Sequence, residues 1–103
     1  MTFDTFMEKL RKIPDKSILL QDDFSNYVVD FKIKDNHLLF ILKNDYHKSH
    51  SIYSLARRLL LLENIKDVYV VYARSCYKVE FLCIDWNKVI IYSSSFSDIN
   101  VSL

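Results

Sequence analysis

The residues best placed to do chemistry gather in the middle of the chain, at positions 43–58. Lys43, Lys48, Arg57 and Arg58 lie there with His47 and His50, against the single acid Asp45, and Tyr46 and Tyr53 are interleaved among them. Basic groups alternating with aromatic rings suit a phosphate backbone with stacked bases, and they suit an acidic protein surface equally well. The plainer alternative is a solvated helix face. His47-Lys48-Ser49-His50 offers two imidazoles that His37 or Asp45 would have to complete, since zinc wants three or four converging ligands. A polar loop carrying two histidines is the simpler reading, so no metal and no cofactor is expected. Nucleophilic catalysis lacks support too. No serine or cysteine sits in an elbow, and a chain of 103 residues without glycine has neither a phosphate-cradling loop nor a dinucleotide turn. No catalytic residue is therefore assigned.

One acidic arrangement needs separate treatment. Asp22 or Asp23, followed by Asp30-Phe31-Lys32, resembles the motif of PD-(D/E)XK nucleases. The resemblance implies two carboxylates on a divalent metal and a lysine near the attacking water. Asp30 and Lys32 share a strand face, because side chains two apart align. Gln21 stands where that motif has proline. Any solvated strand can produce the same Asp-x-Lys spacing.

These residues must be held by elements whose pattern is readable. Residues 51–64, SIYSLARRLLLLEN, carry apolar side chains at helical spacing: Ile52, Leu55, Ala56, Leu59 and Leu60. Ser51 is a suitable N-cap and Asn64 a left-handed stop. Ser54, Arg57, Arg58 and Leu61 fall on the opposite side, so a leucine lies between arginines on the face expected to be wet. Upstream, residues 2–13 read as an amphipathic helix with Phe3, Phe6, Met7, Leu10 and Ile13 on one face, ended by Pro14. Residues 17–20, a short apolar run, read as a strand before a polar turn at Gln21-Asp22-Asp23. Residues 26–43 read as a hairpin about Asp35-Asn36, with Phe31 facing Phe40 and Ile33 facing Leu38 on an apolar face. Residues 68–73 and 76–85 pair about Arg74-Ser75, setting Val68, Val70 and Tyr72 against Phe81, Val79 and Tyr77. A third strand, 88–92, returns after Trp86-Asn87. The far face then carries Leu82, Ile84, Val89 and Ile91. With Leu61 these residues predict apolar surface that a homodimer would hide.

The totals bound the rest. The chain is half hydrophobic, with a formal net charge of +1, so disorder is not expected and no global charge argues for nucleic acid or membrane. One domain, residues 1–103, is expected, with 93–103 as a flexible Ser-rich tail. Cys76 and Cys83 are too few and too far apart for a disulfide framework or a zinc spacing, which favours a reducing cytoplasmic setting. Met1 leads into a charged helix rather than a signal peptide, and no apolar run approaches bilayer length, so no membrane partner is expected.

The expected fold class is α+β, with a mainly antiparallel sheet of about five strands and two helices, in the order helix, strands, helix, three strands. That order resembles the roadblock or profilin-type scaffold, which implies partner binding and dimerisation. The glycine-free composition, rich in Ile, Tyr and Lys, is similar to that of small accessory proteins of archaeal viruses and plasmids. These observations point first to a small non-enzymatic interaction protein, a homodimer, that binds a protein partner through Lys43, Lys48, Tyr53, Ser54, Arg57, Arg58 and Leu61. Nucleic-acid binding by the same basic cluster is the second reading and a metal-dependent nuclease the third.

Overall fold

Thr2 opens the first helix, α1 (Phe3–Arg11), by accepting a hydrogen bond from the Thr5 amide at 3.2 Å. Phe3, Phe6, Met7 and Leu10 turn inward from it, as their spacing predicts. The strands follow as β1 (Leu20–Asp22), β2 (Tyr27–Lys34) and β3 (His37–Lys43). A single 3-10 turn (Tyr46–Lys48) leads to the second helix, α2 (Ile52–Leu59), and the chain closes with β4 (Val68–Tyr72), β5 (Ser75–Asp85) and β6 (Lys88–Ser93). The structure, a computed structural model, describes residues 1–15, 17–85 and 88–94, with Asp85 in its backbone only. The expected turn at Trp86-Asn87 and the expected tail from residue 95 onward lie outside the described residues, whereas Ser93 and Ser94 continue the β6 pairing, the Ser94 amide donating to the Lys78 carbonyl at 2.9 Å.

The six strands form one closed barrel in the order β1-β2-β3-β4-β5-β6. This overturns the expected open, mainly antiparallel sheet of about five strands, and with it the roadblock or profilin-type order. Two parallel joins make the difference. β3 runs parallel to β4, with Leu38 beside Val68 and Phe40 beside Val70, because α2 is the crossover that returns the chain to the same end. β1 runs parallel to β6, with Leu20 beside Val89 and Asp22 beside Ile91, and this pairing shuts the barrel. Gln21 and Asp22 are therefore strand residues and not the polar turn expected of them.

The β2–β3 hairpin keeps its predicted register from Lys34↔His37 through Phe31↔Phe40 to Asp30↔Ile41, about Asp35 and Asn36 in left-handed conformations. A bulge at Val29 then advances β2 by one residue, so that Val28 meets Leu42. The β4–β5 turn lies at Ala73-Arg74, one residue earlier than expected, so Val70 pairs with Tyr77 and Tyr72 with Ser75. A second bulge, at Glu80, follows in the β5–β6 pairing, where Val79 faces Ser93 but Phe81 faces Tyr92. Each bulge exchanges which alternate residues face inward.

The second bulge corrects the predicted outer face. Val89 and Ile91 are fully buried in the barrel interior and Leu82 packs against them, whereas Phe81, expected inside, is exposed. Of the four strand residues assigned to a dimer contact, Ile84 alone is exposed. The interior cluster joins these side chains to the apolar faces of both helices, with the Phe6 ring 5.3 Å from that of Phe40. On the opposite face of β3 to β5, Leu39, Tyr69, Val71 and Cys76 form a second buried cluster. Of the two cysteines, Cys76 lies within that cluster and Cys83 is exposed.

Candidate functional site

The outer face of α2 assembles from the cap outward. The Ser51 hydroxyl accepts the Ser54 amide at 3.2 Å, as expected of an N-cap. His50 Nδ1 lies 3.3 Å from the Ser54 hydroxyl, tying the entering chain to the first turn. Ile52, Leu55 and Leu59 are buried, which fixes the rotation of the helix and turns Tyr53, Arg57 and Leu61 to solvent. The helix ends at Leu59 rather than near Asn64. Leu61 and Leu62 donate to the Arg58 and Leu59 carbonyls in a tighter turn, and Asn64 adopts a left-handed conformation further on. Leu60, expected in the core, is consequently exposed.

Tyr53, Ser54, Arg57, Arg58 and Leu61 line one shallow depression on this face. Arg57 leans over the Tyr53 ring, its guanidinium carbon 5.7 Å from the ring centre, and has no carboxylate partner among the described residues. Arg58 is differently placed. It lies 4.5 Å above the Phe31 ring and 3.6 Å from Asp30, so part of its charge is already answered. Leu61 is 82 % exposed beside them. Lys43 and Lys48 are exposed as well, but they belong to the end of β3 and to the 3-10 turn and do not line the depression. Five of the seven predicted binding residues are thus brought together and two are not.

The acidic and histidine arrangements fare otherwise. Asp30 is occupied by Arg58, and its Oδ1 also accepts the Phe31 amide at 2.8 Å. Asp22 is the organiser of a turn: its Oδ1 accepts the Phe24 and Asn26 amides and its Oδ2 accepts the Asn26 side-chain amide, all within 2.9 Å. His37 accepts the Asp67 amide at 3.3 Å and lies edge-on to Tyr69, His50 is engaged with Ser54, and His47 packs against Tyr46. Among the described residues no three His, Cys, Asp or Glu side chains converge as metal ligands.

A second concave site was not legible in the sequence. Where β3 and β4 end, the barrel mouth opens into a cleft of ≈ 690 Å³ floored by Leu42 and Val70 and bordered by Phe24, Tyr72, Tyr77 and Tyr92. These residues are far apart in sequence and read singly as core or surface. The turn at Ala73-Arg74 is what sets Tyr77 beside Val70 at the rim.

No family model, no curated protein and no solved structure matches the chain. Among the described residues no helix is long and apolar enough to cross a membrane.

Proposed function

We propose that this chain is a non-enzymatic binding module that takes a protein partner on the outer face of α2, through carboxylates facing Arg57 and apolar side chains facing Leu61. The observation that carries the reading is the juxtaposition, in one depression, of an α2 arginine without a carboxylate partner among the described residues and an 82 % exposed leucine in the turn that follows the helix. Arginine and aromatic side chains are enriched where proteins meet, and arginine carries binding energy there more often than lysine does. The nucleic-acid alternative needs a continuous track of cations along a backbone. What favours protein over nucleic acid is that Lys43 and Lys48 do not line the depression, that Asp30 offsets Arg58, and that an exposed leucine lines it beside the arginines.

Fluorescence anisotropy tests this with three probes: a glutamate–leucine peptide, a lysine–leucine peptide of equal length, and a single-stranded oligonucleotide. The glutamate–leucine peptide is expected to bind, and Arg57→Glu to weaken it by roughly tenfold, the scale of about 1.4 kcal/mol. Binding of the oligonucleotide alone, with a steep loss on adding salt, would transfer the site to nucleic acid. Binding of none of the three would overturn the reading.

A further inference from the structure

We infer that the mouth of the barrel is a binding site for a small organic cation with an apolar body, held over the tyrosines with its charge towards Asp23. The argument begins with shape. The cleft has the volume of sites that enclose small molecules, and barrel mouths are a recurrent place for them. Its floor is the interior itself, since Leu42 and Val70 are each 3 % exposed and close off the core beneath. Tyr72 and Tyr77 rise from the ends of β4 and β5.

Phe24 borders the opening at 78 % exposure. An aromatic ring left this open on a loose loop needs no explanation, but here the turn is built. Three hydrogen bonds to Asp22 and a left-handed Ser25 fix the backbone on either side of Phe24. That turn carries the ring at the cleft edge, where a ligand would cover it.

Charge then selects the ligand. Among the described residues the lining includes Asp22 and Asp23 and no lysine, arginine or histidine. The faces of aromatic rings add further negative potential. An anion is repelled by both carboxylates, and a neutral ligand gains hydrogen bonds at most, without the ionic attraction a cation adds. Asp22 has both oxygens engaged in the turn, whereas Asp23 is exposed and makes no hydrogen bond or ion pair among the described residues. Asp23 is thus the carboxylate left to pair with an ammonium or guanidinium, while the rings take the apolar body. α2 contributes nothing to this lining, so the site stands independently of the helix face.

The chemistry is shared by two sources, a free amine and the lysine or arginine side chain of a peptide, and the test separates them. Amide NMR titrations of the full chain would use benzyltrimethylammonium, the capped tripeptide alanyl-lysyl-alanine, and benzenesulfonate as the charge-inverted control. Both cations are expected to shift the signals of Asn26, Leu42 and Tyr77 saturably, with benzenesulfonate leaving them unmoved. Asp23→Asn and Tyr72→Ser, both at exposed positions, are expected to weaken the cation by roughly three- to tenfold each without altering the dispersed spectrum. A tighter tripeptide assigns the site to a peptide side chain, and a tighter benzyltrimethylammonium to a free amine. Equal binding of benzenesulfonate, or no saturable shift with either cation on a folded protein, overturns the inference.

Discussion

The absence of glycine is felt residue by residue. Among the described residues, six that bear side chains adopt left-handed backbone conformations, namely Ser25, Asp35, Asn36, Asn64, Ala73 and Arg74. Asp and Asn tolerate that region because their short polar side chains bond locally, but Ala73 has no such compensation, and the left-handed region costs roughly 1–2 kcal/mol for a residue with a Cβ. The Ala73-Arg74 turn needs positive φ at both positions, the geometry for which Asn-Gly is the preferred pair. The double variant Ala73→Asn with Arg74→Gly is therefore expected to stabilise the protein by about 1 kcal/mol. An unchanged or lower urea midpoint would show that the turn is not strained. Phe31 and Phe40 illustrate the same scale inside the barrel. The sequence pairs them as equals, yet Phe40 is fully buried while Phe31 is half-buried under Arg58. Phe40→Ala is expected to cost about 3–5 kcal/mol, and Phe31→Ala about 1–2 kcal/mol, in keeping with its partial burial. Equal losses in denaturant titrations would place both rings in the same environment and contradict the structure.

Elements were legible where one period runs unbroken. The α1 face, the Ser51 cap and the hairpin from Lys34 to Asp30 could all be read from spacing, because burial of one face dictates the pattern. The failures are local. A bulge is a single unpaired residue with no composition of its own, so Val29 and Glu80 gave no sign that alternation would switch there. The switch at Glu80 sent Val89 and Ile91 inward and removed most of the predicted strand-face patch. Of the residues expected to support a homodimer, Leu61 just past α2 and Ile84 on β5 stay exposed. Two-fold pairing through the α2 face would set Leu61 against its own copy with arginines around it, in competition with the acidic partner proposed for the same face, which makes this face and not the strand the surface to test. Light scattering at micromolar concentration is expected to give a dimeric mass, Leu61→Glu a monomeric one, and Ile84→Glu no change. A monomeric wild type would end self-pairing and leave the α2 face to a different protein.

At the scale of the whole molecule, closure could not be read from the chain because it rests on two pairings between distant segments. Parallel joins have no turn to mark them, and β1 is three residues long, written as the end of a modest apolar run and two polar residues. The barrel mouth was hidden for the same reason, since its rings meet only once the ends of several strands are brought together. Closure removes free strand edges, but it is uneven. β3 is paired on both sides along most of its length, with Leu39 between Lys32 and Tyr69. β1 meets β6 over three residues and β2 through Gln21↔Tyr27, aided by the Asp22 amide donating to the Asn26 carbonyl. Opening free energies vary across a fold with the local density of such interactions. The β1 seam is therefore expected to open first, with the amides of Leu20 and Gln21 exchanging well before those of Leu39, Phe40 and Ile41. Asp22→Ala removes the acceptor of three hydrogen bonds that hold the β1–β2 turn, so it should accelerate exchange at the seam while β3 stays protected. Uniform exchange across all six strands would mean that the barrel opens as one unit, and the seam would then be as strong as the rest of the sheet.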